Sequence, residues 1–264
     1  MNRREKIIIM VISLLLAAKF SFGLDLNNVL FHLNGAKGVQ AFSRGNSYPV
    51  DKKGDINFVS GAKGKALELI NGESYLGYET KGNLNFSQGT VSFWISPGEG
   101  KGTWDGSMDN VLQVLFHTAG GPQQMVIQEH WPTRSLVMLF YNDGSLVGGF
   151  PDGLGASVPL YTANDITSVV RPGTWYQVIF TWRKGYAATY LNGKLESDYS
   201  NPEINLTNLG NKFYLGWNKS IGKLFIDPGC ENVASPISKK PWKTLIADFT
   251  IYNQFIFPNQ AKGM

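Results

Sequence analysis

The stretch GTWYQVIFTWRKGYAATYLNGKLES, residues 173–197, limits the fold more than any other. Its apolar residues are aromatic or β-branched, the types that favour a pleated, half-buried surface. No helix face collects Trp175, Val178, Ile179, Phe180, Trp182, Tyr186, Tyr190 and Leu191. Arg183-Lys184-Gly185 breaks the run once, and Asn192-Gly193 ends it with a pair suited to the two positive-φ positions of a tight hairpin. The stretch reads as a small antiparallel meander, and a meander needs further strands to cover its apolar face.

The rest of the chain supplies them. Val91, Phe93 and Ile95 alternate with Ser92, Trp94 and Ser96 before Pro97-Gly98 ends the strand. LDLNNVLFHLNG reads as a first strand or a partly ordered lead-in, and VLQVLFHTAG, QQMVIQEHW, RSLVMLFYNDG, KFYLGWN and TLIADFTIYNQF read as further strands. Leu67, Leu69 and Tyr75 are expected on one sheet face, on either side of a turn at Asn71-Gly72. The region from Leu146 to Pro172 reads as irregular, with one strand or short helix between Tyr161 and Val170. A segment of weak periodicity runs from about Lys219 to Trp242. With 30 Gly in 264 residues and only 17% charged residues, the chain is suited to many strands joined by turns. No Pro- or Ser-rich linker divides it, so the expectation is an all-β, two-sheet antiparallel sandwich over residues 24–264. Most of its Trp and Phe residues belong inside, because burying a large apolar side chain contributes roughly 1.5–3 kcal/mol.

Residues 1–23 stand apart. A basic start with Arg3, Arg4 and Lys6 precedes an apolar run from Ile7 to Ala18, and Ser21 and Gly23 are spaced as at a cleavage site. At about 1.5 Å per residue the run spans roughly 18 Å as a helix, too short for a bilayer core of about 30 Å. It reads as a secretory signal peptide, leaving a secreted, periplasmic or cell-surface chain with no membrane segment; the alternative is an anchor extended through Lys19 to Phe22. Without Arg3, Arg4, Lys6, Lys19 and Glu5, the formal charge falls from +4 to 20 basic against 19 acidic residues. That balance gives no reason to expect a nucleic-acid partner.

Reactive chemistry is sparse. Cys230 is the single cysteine, so no internal disulfide is possible, and the sequence around it shows no base that would activate it. His32, His117 and His130 are scattered, without the spacing of a zinc site. Glu196 and Asp198 share a strand face but read as a solvated hairpin edge, with no third acid near. No Gly-x-Ser-x-Gly elbow or phosphate-cradling glycine loop occurs.

Three pieces in order carry a family resemblance: KALELINGESYLGY with GTVSFWISP, then GTWYQVIFTWRKGYAATYLNGK, then FYLGWN with LIADFTIYNQ. Together, over about residues 60–255, they resemble the concanavalin A-like lectin/glucanase superfamily in its laminin-G-like branch. The resemblance implies a jelly-roll sandwich. In it Trp175 begins a buried strand, Asn192-Gly193 makes the hairpin turn and Asp248 precedes the closing strand of Phe249, Ile251 and Tyr252. It also implies a structural calcium, for which Asn71, Glu73 and Asp248 are candidate ligands. The alternative is that Asp248 pairs within the fold and Asn71 only makes a turn. Departures are clear: the usual His pair after the Trp is Tyr176-Gln177, and no Glu-x-Asp-x-x-Glu run supplies the paired carboxylates of a retaining glycosidase.

The function expected is therefore non-catalytic recognition, with a glycan as the first partner and a surface protein as the second. A structural domain of a surface assembly and a divergent glycoside hydrolase are the alternatives. Two loop clusters pair an aromatic platform with polar groups: Trp104, Asp105 and Asp109, and His130, Trp131 and Arg134.

Overall fold

The computed structural model describes residues 26–70, 73–97, 112–118, 137–141, 146–151, 157–161, 173–200, 210–216 and 243–257. After a 3-10 turn at Leu26–Asn28 come β1 (Val29–Leu33), β2 (Phe42–Ser43), β3 (Asp51–Lys53), β4 (Asn57–Ser60), β5 (Lys65–Ile70), β6 (Tyr75–Glu79), β7 (Gln88–Pro97) and β8 (Leu112–Thr118). Then follow β9 (Val137–Tyr141), β10 (Leu146–Pro151), β11 (Ser157–Tyr161), β12 (Tyr176–Arg183), β13 (Tyr186–Leu191), β14 (Lys194–Ser200), β15 (Lys212–Gly216) and β16 (Lys243–Tyr252). Among the described residues no helix is long and apolar enough to cross a membrane.

The strands form two antiparallel sheets with jelly-roll-like connections. A nine-stranded sheet runs β14-β13-β12-β7-β16-β1-β2, with β5 also on β16 and β4 on β5. A seven-stranded sheet runs β11-β10-β9-β8-β15-β6-β3. Alternation places Val91, Phe93, Ile95, Val178, Phe180 and Trp182 on the inner face of the first sheet, and Leu76, Tyr78, Phe116, Phe213 and Leu215 on that of the second; all are buried. Aromatic edges lock the layers together. Phe31 of β1 meets Tyr78 and Phe213 of the opposite sheet at 4.8 and 5.2 Å between ring centres, and Phe249 of β16 meets Phe116 at 5.6 Å.

The meander forms as its residues require. Val178 pairs with Leu191 and Arg183 with Tyr186 across β12 and β13, and Leu191 pairs with Lys194 across the next hairpin. Asn192 (φ 51°) and Gly193 (φ 75°) both take the left-handed backbone that a two-residue turn with matching twist demands. Asn192 Oδ1 also accepts the Gln177 amide at 2.9 Å. Asn192→Val puts a β-branched residue at positive φ and removes that acceptor. It is expected to lower stability by roughly 1–2 kcal/mol, measured by urea unfolding, with Asn192→Gly, which loses the acceptor but suits the backbone, costing less.

Four expectations are corrected. Tyr75 does not share a sheet with Leu67 and Leu69: they lie on β5 in the first sheet, and Tyr75 begins β6 in the second. The Ile70 carbonyl accepts both the Glu73 and Ser74 amides, turning the chain from one layer to the other. Leu146–Pro172 is less irregular than its Gly and Pro content suggests, since it contributes β10 and β11. Trp175 is half-buried and stands just before β12 rather than in a buried strand; among the described residues Trp182 is the indole that fills the interior. Asp248 lies inside β16, not before it.

Candidate functional site

Among the described residues, several constraints meet on the outer surface at Asp248. β16 pairs with β7 on one side. On the other it changes partner, from β5 over residues 243–247 to β1 over residues 249–252. At the change the register slips: Ala247 faces Trp94 and Thr250 faces Ser92, so two residues oppose one. That is a β-bulge, a device that re-aims a side chain. Asp248 has φ 54°, a backbone region that Asp enters more readily than most residues. Its carboxylate Oδ1 receives His32 Nε2 at 2.7 Å, and the Thr250 hydroxyl donates to its carbonyl at 3.2 Å.

A tight turn closes over the bulge. The Gly61 amide donates to the Gly64 carbonyl at 2.9 Å, and a Cβ on Gly61 would lie 2.9 Å from Ala66 Cβ and 3.1 Å from Ala247 Cβ. Only glycine lets the turn sit this close to the strands. Lys63, on that turn, puts Nζ 3.9 Å from Asp248 Oδ2 and 5.4 Å from the centre of the Trp94 ring. Trp94 takes the outward register of β7 and is half-buried; its Nε1 is buried without a hydrogen-bond partner. The His32 and Asp248 side chains are 32% and 29% exposed, so solvent reaches the pair. Phe42 of edge strand β2, opposite His32, is 55% exposed. The hydrogen bond from His32 holds the Asp248 carboxyl below its ordinary range, against the opposing effect of burial, with His32 and Lys63 charges adding to the lowering.

This arrangement suits binding better than bond cleavage. Among the described residues it holds one carboxylate, where a retaining glycosidase needs two about 5–5.5 Å apart. The Thr250 hydroxyl faces a carbonyl rather than the imidazole, so it does not complete a nucleophile–base pair. Glu196 is not solvated as expected: its side chain is 4% exposed and its Oε1 lies 3.6 Å from Lys194 Nζ. Asp198 is exposed and accepts the Tyr186 hydroxyl at 2.8 Å.

The described calcium candidates do not converge. Lys243 pairs with Ile70, close to Glu73, and Asp248 lies five residues further along β16, about 16 Å at roughly 3.3 Å per residue. Glu73 is exposed, and Asp248 already faces an imidazole and an ammonium, which a hard cation needing six to eight oxygens does not tolerate. Among the described residues no group of three His, Cys, Asp or Glu side chains could hold a metal. Asn71 lies outside the described residues. Addition of EDTA is expected to shift the thermal midpoint by less than about 1 °C, read by circular dichroism, whereas a bound structural ion at saturating concentration would contribute several kcal/mol.

Trp104, Asp105, Asp109, His130, Trp131 and Arg134 lie outside the described residues, as do Cys230 and residues 1–23. His32 and His117 sit in opposite sheets, so they share no site. On the second sheet His117 stacks on Tyr214 at 4.9 Å, and Asp51 accepts the hydroxyls of Tyr75 at 3.2 Å and Tyr214 at 3.3 Å. His117 and Tyr214 are buried, so this cluster supports the sheet rather than a ligand. A second exposed feature is the loop from β2 to β3. Buried Asn83 pins it, donating to the Asn46 and Glu79 carbonyls at 3.1 and 3.0 Å and accepting from Ser43 Oγ at 2.6 Å. Phe42, Tyr48 and Val50 stand exposed around it.

A laminin-G family model, described as the concanavalin A-like lectin/glucanases superfamily, matches residues 70–261. No curated protein matches the sequence. Among solved structures, the binding domain of Paraclostridial Mosquitocidal Protein 1 superposes with a TM-score of 0.64 and 18% identity, over 89% of this chain and 51% of that one. A botulinum neurotoxin type C structure, whose cell entry depends on interaction with two ganglioside molecules, gives 0.61 and 14%, over 89% and 50%. Domain 4 of AbnA, a GH43 extracellular arabinanase from Geobacillus stearothermophilus in complex with arabinotriose, gives 0.57 and 19%, over 89% and 97%. The chain thus spans about half the length of the toxin structures it matches. At these identities the likeness is one of fold.

Proposed function

The chain belongs to the concanavalin A-like lectin/glucanases superfamily, and on that premise we propose that it is an exported, non-catalytic recognition domain whose first ligand class is carbohydrate. The observation that carries this reading is the outer-face group at the β16 bulge. There a half-buried indole and an exposed phenyl ring flank a carboxylate, an imidazole and an ammonium, all partly open to solvent. Sugars are bound by this combination, an aromatic face for the C–H side of the ring and fixed polar groups for the hydroxyls. The arabinotriose held by the arabinanase domain, a structure matched along nearly its whole length, supports the carbohydrate class. The loop clusters Trp104, Asp105, Asp109 and His130, Trp131, Arg134 extend the same chemistry in this proposal. Residues 1–23 act as the signal peptide and residues 24–264 as one domain.

Protein binding is the second reading, favoured by the pinned loop that exposes Phe42, Tyr48 and Val50. A related botulinum neurotoxin DC binding domain is in complex with rat synaptotagmin II. A glycan array probed with the chain after removal of residues 1–23 separates the two readings. The carbohydrate reading expects binding to a restricted glycan set that persists in EDTA and falls at least about tenfold in Trp94→Ala, the loss of the indole at the bulge. Silence across a broad array would transfer the assignment to protein recognition.

A further inference from the structure

A second polar and aromatic group lies where the C-terminal segment crosses the outer face at the end of β12. The Ile256 amide donates to Thr181 Oγ1 at 2.9 Å, and the Thr90 hydroxyl donates to the Gln254 carbonyl at 2.7 Å. Ile256 is buried against Ile179, Ala188 and Tyr190. The segment is thus fixed at residue 256, which sets Phe255 and Phe257 beside Arg183. Their ring centres lie 4.8 and 5.7 Å from the guanidinium carbon, and that of Tyr186, its cross-strand partner, lies 5.8 Å away. Phe255 also meets Tyr186 and Phe257 edge-on, at 5.5 and 5.1 Å.

Three rings hold the cation in place, but ring faces supply no oxygen to its five N–H groups. Among the described residues no hydrogen bond or ion pair takes up the Arg183 guanidinium, and the residue is exposed. The Asp198 carboxylate accepts the Tyr186 hydroxyl at 2.8 Å instead. A guanidinium fixed in this way, with its donors open, is a preorganised receptor for two coplanar oxygens.

We propose that Arg183 binds the carboxylate of a uronic acid residue in a glycan. This deepens the carbohydrate reading and rests on it, adding a subsite on the sheet face that carries Trp94. Gln177, paired with Trp94, and Arg183 are six residues apart on β12, about 20 Å at roughly 3.3 Å per residue. Phe257, 51% exposed beside the guanidinium, offers its ring to the apolar face of the sugar. Asp198 is exposed and keeps acceptor capacity for ring hydroxyls beyond the bond that Tyr186 makes. A carboxylate could also come from a glutamate side chain of a protein. That side chain brings methylenes rather than hydroxyls, so Asp198 would only repel it.

The test is a calorimetric titration at about pH 6, where the carboxylates are ionised, and at low salt. It uses three probes: trigalacturonic acid, its fully methyl-esterified counterpart, and triglutamate. The acid is expected to bind at least about tenfold more tightly than the ester, since esterification removes the charge that Arg183 recognises. Arg183→Lys should weaken binding of the acid about tenfold, because it loses the planar fork. It keeps a cation beside the rings, so the C-terminal segment stays docked. Phe257→Ala, a change at an exposed ring, should weaken binding severalfold. Wild-type affinity in Arg183→Lys overturns the proposal. Equal binding of acid and ester also overturns it but leaves the carbohydrate reading standing. Binding of neither trimer overturns it as well, and the glycan array then decides the carbohydrate reading. Triglutamate binding as tightly as trigalacturonic acid overturns the sugar assignment.

Discussion

Trp182→Ala is expected to lower the free energy of unfolding by about 3–5 kcal/mol. The indole is fully buried on the inner face of β12, stacks on Phe180 at 5.9 Å and donates Nε1 to the Phe86 carbonyl at 3.1 Å. Its cross-strand neighbours are Gly89 on β7 and Ala187 on β13, the smallest side chains available, and they make the space the ring fills. Truncation therefore leaves a cavity bordered by residues too small to close it, and strands the Phe86 carbonyl. The fit is tight enough to test from the other side. A Cβ on Gly89 would lie 2.5 Å from indole Cζ2 and 2.8 Å from Cη2, so Gly89→Ala overpacks the site and should cost roughly 1–3 kcal/mol. With Trp182→Leu already present that clash is gone, and Gly89→Ala should be neutral or stabilising. A double-mutant cycle by urea unfolding reads the coupling, and additive changes would mean that the two positions do not touch.

The second large effect is acid destabilisation through His117. The ring is buried, stacks on Tyr214 and donates Nδ1–H to the Thr118 carbonyl at 3.1 Å. Burial lowers its pKa from 6.5 to about 4, opposed in part by the backbone hydrogen bond. Because the folded value lies below the unfolded one, the unfolded chain takes up the proton first as pH falls. Stability is full above about pH 6.5 and declines towards pH 4, by roughly 1.4 kcal/mol per unit and of order 3 kcal/mol in all. Carboxylates contribute to acid unfolding too, among them Asp248, whose lowered pKa adds stability that is lost only as pH falls below its ordinary 3.8. His117→Phe retains a flat ring without a titrating group. The difference between wild type and His117→Phe in urea unfolding at several pH values isolates the histidine. A flatter profile for His117→Phe between pH 6.5 and 4 is expected, and parallel profiles would contradict it.

What could be read in advance follows from how local each signal is. The Val91, Phe93, Ile95 alternation and the Asn192-Gly193 turn are written in adjacent residues, and both stand as read. The layer assignment of Tyr75 was not local. A turn after Leu69 looks alike whether the chain doubles back in one sheet or crosses to the other, and only the pairing of β6 with β15 decides it. Strands β10 and β11 were obscured by Gly148, Gly149, Pro151 and Pro159; β11 is an end strand of its sheet, where proline costs no ladder bond on the open side. Trp175 and Trp182 are both candidates by composition, yet only Trp182 has the inward register with small residues on both flanks. The outer-face site was least visible. His32 and Asp248 are 216 residues apart and meet because β1 and β16 pair. One cue was present: Trp94 takes the polar register of an otherwise Ser- and Thr-rich strand face, an indole where alternation calls for a small polar group.

The proposal that this sandwich recognises a sugar without altering it has a direct test. Incubation with the best array glycan, with binding followed by calorimetry and the ligand then recovered for mass spectrometry, tests it most directly. Saturable heat with the recovered glycan at its original mass is the predicted result. Shortened glycan after stoichiometric incubation would contradict the claim.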